Sequence, residues 1–207
     1  PILVDQNRFN NSELDKVKKN IVFIGDIYGT KDGTNILVEA FKKVHSNIPD
    51  QKLILIGDIS NNVLFNQFKI RYLNDEIKDK VVFTGFIHKE KVSSFLNEAR
   101  VLALARPANK QAEAGFPTKL GEYLATGSPV ICTKVGDIPD YLFDKVNAFM
   151  AEPGSIDSFA EKILFVYQNP EFSKKVGLEG KKLVYKEFNY LYQSEKLIAF
   201  FKENKKY

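Results

Sequence analysis

One segment, bounded by glycines and a proline, has the residue types of a helix that binds an anion at its start. Gly115 gives a turn, and Pro117 fits the first helical position, where its missing N–H sacrifices no hydrogen bond. The backbone N–H groups near Thr118 and Lys119 would then be free to bind a phosphate. Gly127 follows at the favoured position just past the helix end.

A carboxylate lies one helical turn beyond this predicted anion site. Glu122 comes four residues after Thr118, which places it on the same helix face, about 6 Å further along the axis. A carboxylate can accept hydrogen bonds from two vicinal hydroxyls. A nucleoside diphosphate with its phosphates at the helix start would therefore place its ribose beside Glu122. The alternative is a surface glutamate in an ordinary helix, and the segment alone does not decide between them.

A second candidate lies in the glycine-rich loop at residues 25–33. Gly25 and Gly33 let the backbone approach a ligand closely, and Lys31 offers a mobile positive charge to a phosphate. The spacing matches neither the dinucleotide-binding fingerprint nor the phosphate loop of nucleotide hydrolases. An ordinary glycine-rich turn with a solvated lysine is an equal alternative.

The elements that must position these residues alternate along the chain. Five short apolar runs read as strands, at residues 21–25, 53–57, 81–85, 101–105 and 129–133. Helical patterns fall between them at residues 35–44, 63–73 and 89–99, and three helices are predicted from Ser155 onward. Continuous apolar strands indicate a parallel sheet buried on both faces. The sequence therefore predicts an α/β fold with a doubly wound, Rossmann-like parallel sheet, whose ligands bind beyond the carboxyl ends of the strands.

Composition excludes several classes of protein. The 207 residues are 44% hydrophobic and 27% charged, which is ordinary for a globular domain. No run approaches the roughly 20 apolar residues that cross a bilayer. Cys132 is the single cysteine, so we expect a buried thiol without an internal disulfide. The net charge is +4, and we interpret its late lysines as solvated helix faces rather than a nucleic-acid surface. Because the chain begins with Pro1, we expect it to be a segment of a longer protein.

The segment around Glu122 resembles the donor-site signature of family 4 glycosyltransferases, which are retaining enzymes with the two-domain GT-B fold. The matching stretches are Gly115-Phe116-Pro117, Glu122-Tyr123-Leu124-Ala125 and Gly127-Ser128-Pro129-Val130. The resemblance extends over nearly the whole chain. It includes Val4-Asp5 with Arg8-Phe9, Lys31 with Gly33, Val82-Phe83-Thr84-Gly85-Phe86, and Val135-Gly136-Asp137-Ile138-Pro139-Asp140.

This resemblance implies the C-terminal, nucleotide-sugar-binding half of a GT-B enzyme. Lys31 and Arg106 would stabilise the departing diphosphate. The residues expected to bind the donor are Gly25, Ile87, Gly115, Phe116, Pro117, Thr118, Lys119 and Glu122. The resemblance implies a nucleoside-diphosphate sugar as donor substrate, with no cofactor and no protein-held metal.

The same resemblance predicts how the chain is organised. Residues 1–20 would form an interdomain linker, and residues 21–188 the Rossmann-like donor domain. Residues 189–207 would form a C-terminal helix that packs toward an N-terminal acceptor domain, which we expect to be the chain's own missing partner. The expected location is the cytoplasm, with possible association of the complete enzyme with the inner face of the membrane and no nucleic acid as partner.

Three departures from the family pattern keep alternatives open. Ala114 stands where the family's first glutamate usually contacts the donor sugar, and Asp26, which would repel a diphosphate, replaces a common arginine. Arg106, where the family often has serine, would restore the positive charge or else form a structural salt bridge. His88 is expected at the rim of the base-side loop, and Tyr28 either lines the sugar site or is exposed. The competing functions are a nucleotide-sugar epimerase of the same fold and a non-catalytic nucleotide-sugar-binding module.

Overall fold

The computed structural model describes residues 3–9, 18–29 and 31–204. Within them the chain forms a six-stranded parallel sheet in the order β3-β2-β1-β4-β5-β6. The strands are β1 (Ile21–Ile24), β2 (Leu53–Ile56), β3 (Val81–Gly85), β4 (Val101–Leu104), β5 (Val130–Thr133) and β6 (Phe149–Ala151). The predicted doubly wound α/β fold is confirmed, and β6 is a strand that the sequence analysis missed.

A 3₁₀ helix and nine α-helices are seen in these described ranges. The 3₁₀ helix is Gln6–Phe9, and the first five α-helices are α1 (Thr34–Val44), α2 (Asn62–Tyr72), α3 (Lys89–Asn97), α4 (Lys110–Glu113) and α5 (Thr118–Ala125). The others are α6 (Ile138–Tyr141), α7 (Ile156–Gln168), α8 (Pro170–Glu187) and α9 (Tyr190–Glu203). The predicted helices after β1, β2 and β3 are present, as are the three helices predicted from Ser155 onward.

The order of the strands explains why the central ones are apolar throughout. Every residue of β4 and β5 is buried, because helices cover both faces of the sheet. From β1 the chain crosses to β2, toward the β3 edge of the sheet, whereas from β4 it crosses to β5, toward the β6 edge. Right-handed crossovers therefore place α1 and α5 on opposite faces. On one face α1 packs against α7, and on the other α5 packs against α8.

The predicted linker packs against the domain where it is described. The backbone N–H of Val4 donates to the carbonyl of Phe188 at 2.9 Å, and Gln6 donates its side-chain amide to the carbonyl of Val184 at 3.1 Å. Phe9 is fully buried. Residues 1–2 and 10–17 of the predicted linker lie outside the described residues. So do residues 205–207 of the predicted C-terminal helix, which include two of the lysines interpreted as solvated, Lys205 and Lys206.

Candidate functional site

The loop after β1, the segment after β4 and the start of α5 meet where the strand order reverses, between β1 and β4. In doubly wound sheets this switch point opens a crevice at the carboxyl ends of the strands. Helix α5 is fixed there by Tyr123, whose buried hydroxyl accepts a hydrogen bond from the N–H of Ile24 at 2.8 Å. Burial raises the pKa of that phenol well above its usual range, so the hydroxyl stays neutral. The start of α5 is thus held against the end of β1.

The loop after β1 is shaped by Asp26, the residue that replaces the family's arginine. Its carboxylate Oδ1 accepts hydrogen bonds from the N–H groups of Tyr28 at 3.0 Å and Gly29 at 2.9 Å. Its carbonyl accepts one from the hydroxyl of Thr34 at 2.8 Å. The structure therefore gives Asp26 a turn-forming role that the sequence analysis missed. Its predicted repulsion of a diphosphate stays a prediction.

Lys31 and Gly33 lie in the second half of this loop. Lys31 is exposed, as a residue that reaches for a ligand must be. Gly33 has a φ of 70°, and a Cβ there would lie 2.6 Å from the carbonyl carbon of Ala105 at the end of β4. A side chain at Gly33 is thus excluded both by backbone conformation and by contact. This close approach brings the loop after β1 beside the segment after β4.

Asp32, between those two residues, is a buried acid that the sequence analysis missed. It is 2% exposed, and its Oδ2 accepts a hydrogen bond from the N–H of Asp26 at 3.2 Å. The same oxygen forms an ion pair with the ammonium of Lys119 on α5. Its other oxygen, Oδ1, is buried without a hydrogen-bond partner among the described residues. The only sequence signal was its position between a lysine and a helix-starting glycine.

Arg106 is brought to the same crevice, but its guanidinium is turned toward the backbone. It is 2% exposed and donates to the carbonyl of Gly115 at 3.2 Å and that of Gln111 at 3.3 Å. Burial lowers the pKa of Arg106, and the charge of Asp32 partly opposes that shift. The hydrogen bonds seen among the described residues hold the segment before α5 rather than form the salt bridge considered above. Contact with a diphosphate stays a prediction for Arg106.

The start of α5 differs by one residue from the prediction. Pro117 has a ψ of 123° and is the N-cap, outside the helix, so the first helical position belongs to Thr118. The extended ψ places Pro117 before the first helical turn. Thr118 is exposed, and the free N–H groups of a first helical turn attract anions. Gly127 follows the helix with a φ of 75°, as predicted for that end. Gly115 and Phe116 are partly exposed beside the helix start.

Glu122 lies one turn further along α5, but its carboxylate is not free. Its Oε1 accepts a hydrogen bond from Arg8 Nη1 at 2.8 Å, and the Glu122 side chain is 28% exposed. Arg8 belongs to the predicted linker and donates a second, longer hydrogen bond to the carbonyl of Lys89 at 3.4 Å. The sequence analysis assigned Arg8 only to the interdomain connection. Oε2 of Glu122 is not part of that hydrogen bond and can accept from a ligand hydroxyl.

The base-side loop follows β3. Ile87 is partly buried, and Phe86 before it is 76% exposed. His88 is exposed at the N-cap of α3, with its ring edge-on to Phe86 at 5.8 Å. Tyr28 packs edge-on against Phe68, with ring centroids 6.3 Å apart, and so is not a simple exposed turn aromatic. Recognition of a base by the backbone at Ile87 stays a prediction.

In the described part of the chain, no group of three or more His, Cys, Asp or Glu side chains is placed to hold a metal ion. No helix there combines the length and the apolar character that crossing a bilayer requires.

Cys132 is buried in β5, and burial raises the pKa of its thiol well above the usual range.

Known proteins resemble this chain in sequence and in fold. N-acetyl-alpha-D-glucosaminyl L-malate synthase of Bacillus anthracis is 26% identical over 163 residues, which are 79% of this chain and 39% of that protein. The amylovoran biosynthesis glycosyltransferase AmsK of Erwinia amylovora is 26% identical over 164 residues, which are 77% of this chain and 39% of that protein. The chain thus spans less than half the length of these curated relatives.

Solved structures share the fold at lower identity. The crystal structure of HepE from Anabaena in complex with UDP-glucose superposes with a TM-score of 0.81 at 17% identity, covering 97% of this chain and 56% of that one. The family model described as "Glycosyl transferases group 1" matches residues 4–183. That match contains the crevice between β1 and β4 and every candidate residue described around it. The chain belongs to the glycosyl transferases group 1 family.

Proposed function

We propose that the chain is the donor-binding domain of a retaining glycosyltransferase that uses a nucleoside-diphosphate sugar. The observation that carries this proposal is the arrangement along α5. The helix starts at the exposed Thr118, the next residue Lys119 pairs with Asp32 in the loop after β1, and Glu122 follows one turn later. A diphosphate at the helix start and a ribose at Glu122 match the order of groups in a nucleotide.

Each residue has a distinct role in this proposal. Lys31, with the first N–H groups of α5, stabilises the negative charge that develops on the diphosphate as the bond to the sugar breaks. Arg106 contributes positive charge from below the site and holds the segment that contains Gly115. Ile87 presents backbone groups to the base. We expect the reaction to need no cofactor and no metal held by these residues.

An acceptor-binding domain completes the active site in this proposal. Helix α9 supports it, because none of its side chains is buried and several are large and apolar. A groove of about 380 Å³ lies between this helix and the linker, lined by Leu3, Gln193, Ser194, Lys196, Leu197 and Phe200. An unburied apolar surface of this kind marks an interaction site. We assign it to the chain's own N-terminal domain.

Surface-polysaccharide synthesis at the cytoplasmic face of the membrane is the setting we propose. Its support is the relative AmsK, which is named for amylovoran biosynthesis. The HepE structure supports a sugar nucleotide as ligand, because that protein was solved with UDP-glucose. The sugar, the base and the acceptor are left open by the proposal.

The test is the fate of a labelled donor. A protein in which this chain is joined to its acceptor-binding domain should transfer sugar from one of the UDP-, GDP- or ADP-sugars to an acceptor. The chain alone should bind nucleoside diphosphates without multiple turnover. If the product is instead an epimerised nucleotide sugar, the result would favour the epimerase function. Binding without transfer or epimerisation would favour the non-catalytic module, to which Ala114 and Asp26 point.

A further inference from the structure

Three charged side chains lie together beneath the crevice between β1 and β4. Asp32 is almost completely buried, and Lys119 pairs with it while keeping 22% of its side chain exposed. Arg106 is the third member, because its backbone N lies 3.3 Å from where a Cβ on Gly33, the neighbour of Asp32, would stand, and the charge of Asp32 opposes the lowering of its pKa by burial. Two cations and one carboxylate leave a net positive charge. A cluster with this balance favours an incoming anion.

The ammonium of Lys119 is held at the turn where β1 ends. A Cβ at Gly25 would lie 2.6 Å from Asp32 Oδ2 and 2.8 Å from the ring of Phe23, and it would also collide with Lys119 Nζ. Nζ of Lys119 also lies over the same ring, 5.6 Å from its centroid. The glycine therefore leaves room for the ammonium beside the first residue after the strand.

Hydrogen-bonding capacity in this cluster is unused. An ammonium has three donors, and the contact seen for Lys119 is the one with Asp32. Oδ1 of Asp32 and Nε of Arg106 are buried, and neither has a partner in the described parts of the chain. Buried polar atoms are nearly always satisfied, so the Nε donor of Arg106 points to a missing acceptor and Oδ1 of Asp32 to a missing donor such as water.

We propose that the side chain of Lys119 binds the donor diphosphate and that Asp32 is the positioning residue that holds it there. The inference rests on the proposed function and deepens it, since Lys119 was assigned above only through its backbone N–H. Asp32 draws the ammonium to the end of β1, beside the free N–H groups of α5. The diphosphate then receives charge from this lysine as well as from Lys31.

The test measures how much the phosphates contribute to binding. Calorimetry gives the Kd of UDP, GDP and ADP, and NMR titration gives that of the matching nucleoside for the base that binds. Lys119→Met keeps an unbranched apolar side chain and removes the charge. It should raise the Kd of the diphosphate about 10- to 100-fold, as expected for charged hydrogen bonds. The Kd of the nucleoside should change by less than about twofold. Lys182→Met, an exposed lysine of α8, is the matched control and should change neither.

Asp32 is tested in combination with Lys119. Asp32→Asn should weaken diphosphate binding in the wild-type background and have little further effect in a Lys119→Met background, because it acts through that lysine. Gly25→Ala is a second test, since its methyl group would displace the pair without removing a charge. It should cause the same phosphate-specific loss even where Asp32→Asn fails to fold.

The outcomes separate the two proposals. If the wild type binds no nucleoside diphosphate, the proposed function fails and this inference fails with it. If the wild type binds and Lys119→Met binds equally well, only this inference is overturned. Equal losses for nucleoside and diphosphate would give Lys119 a structural role alone. An Asp32→Asn variant that binds more tightly would show that Asp32 repels the ligand rather than positions the lysine.

Discussion

Replacing Glu122 with glutamine tests whether this carboxylate holds the ribose of the donor. The variant keeps the size of the side chain and one acceptor oxygen but removes the charge. A hydrogen bond to a charged group contributes about 1.5–3 kcal/mol. Because Glu122 already pairs with Arg8 and is 28% exposed, we expect a loss around the lower end of that range, about 1–2 kcal/mol.

The assay is a cycle between protein and ligand. Calorimetry measures the Kd of each nucleoside diphosphate that binds, and of its 2′,3′-dideoxy form, for the wild type and for Glu122→Gln. Loss of the hydroxyls should weaken binding to the wild type by a similar 1–2 kcal/mol, and binding to the variant by almost nothing. Glu179→Gln, which removes an exposed carboxylate from α8, is the control. Additive losses would mean that Glu122 and the ribose do not touch, and would refute the assignment.

Four other expectations follow from the contacts. Arg8→Ala should weaken nucleotide binding by about 0.5–1 kcal/mol in calorimetry, because a partly exposed ion pair positions Glu122 only modestly; an effect larger than that of Glu122→Gln would make Arg8 a ligand contact itself. Lys31→Ala should weaken diphosphate binding by about 1.5 kcal/mol or more, whereas Lys182→Ala should change it little; equal losses would indicate general electrostatics. Arg106→Met should lower the free energy of unfolding by about 1–3 kcal/mol in urea titrations, because the carbonyls of Gly115 and Gln111 lose the buried donor that holds them. Unchanged stability would contradict the role given to those hydrogen bonds. The thiol of Cys132 should react with Ellman's reagent only on unfolding, because burial raises its pKa; rapid labelling of the native chain would contradict its burial.

The sheet was largely predictable because its central strands form short apolar runs that are visible in the local sequence. Parallel strands buried on both faces are apolar along most of their length, and the five predicted runs are, with Thr84 and Thr133 as the polar exceptions. Strand β6 was missed because it has three residues, Phe149–Ala151, and too short a run carries no pattern. The N-cap of α5 was misplaced by one residue, since proline is compatible with both positions and only its extended ψ decides.

The contacts within the site were less predictable because they join distant parts of the chain. Arg8 and Glu122 are 114 positions apart, and Asp32 and Lys119 are 87 apart. No local pattern states that such residues meet. The position of Arg106 at the end of β4 was predicted correctly. Its burial and its hydrogen bonds to backbone carbonyls depend on how the following segment folds back over it, which the local sequence does not show.

The central claim is that the crevice between β1 and β4 binds the donor nucleotide. Titration of the ¹⁵N-labelled chain with UDP, GDP and ADP, followed by amide NMR spectra, tests it most directly. One of these ligands should shift the amides of Gly25, Ile87, Thr118 and Lys119 together, with a single Kd, and leave α9 unchanged. No shifts with any of the three ligands, or shifts confined to α9 and the groove beside Leu3, would contradict the claim.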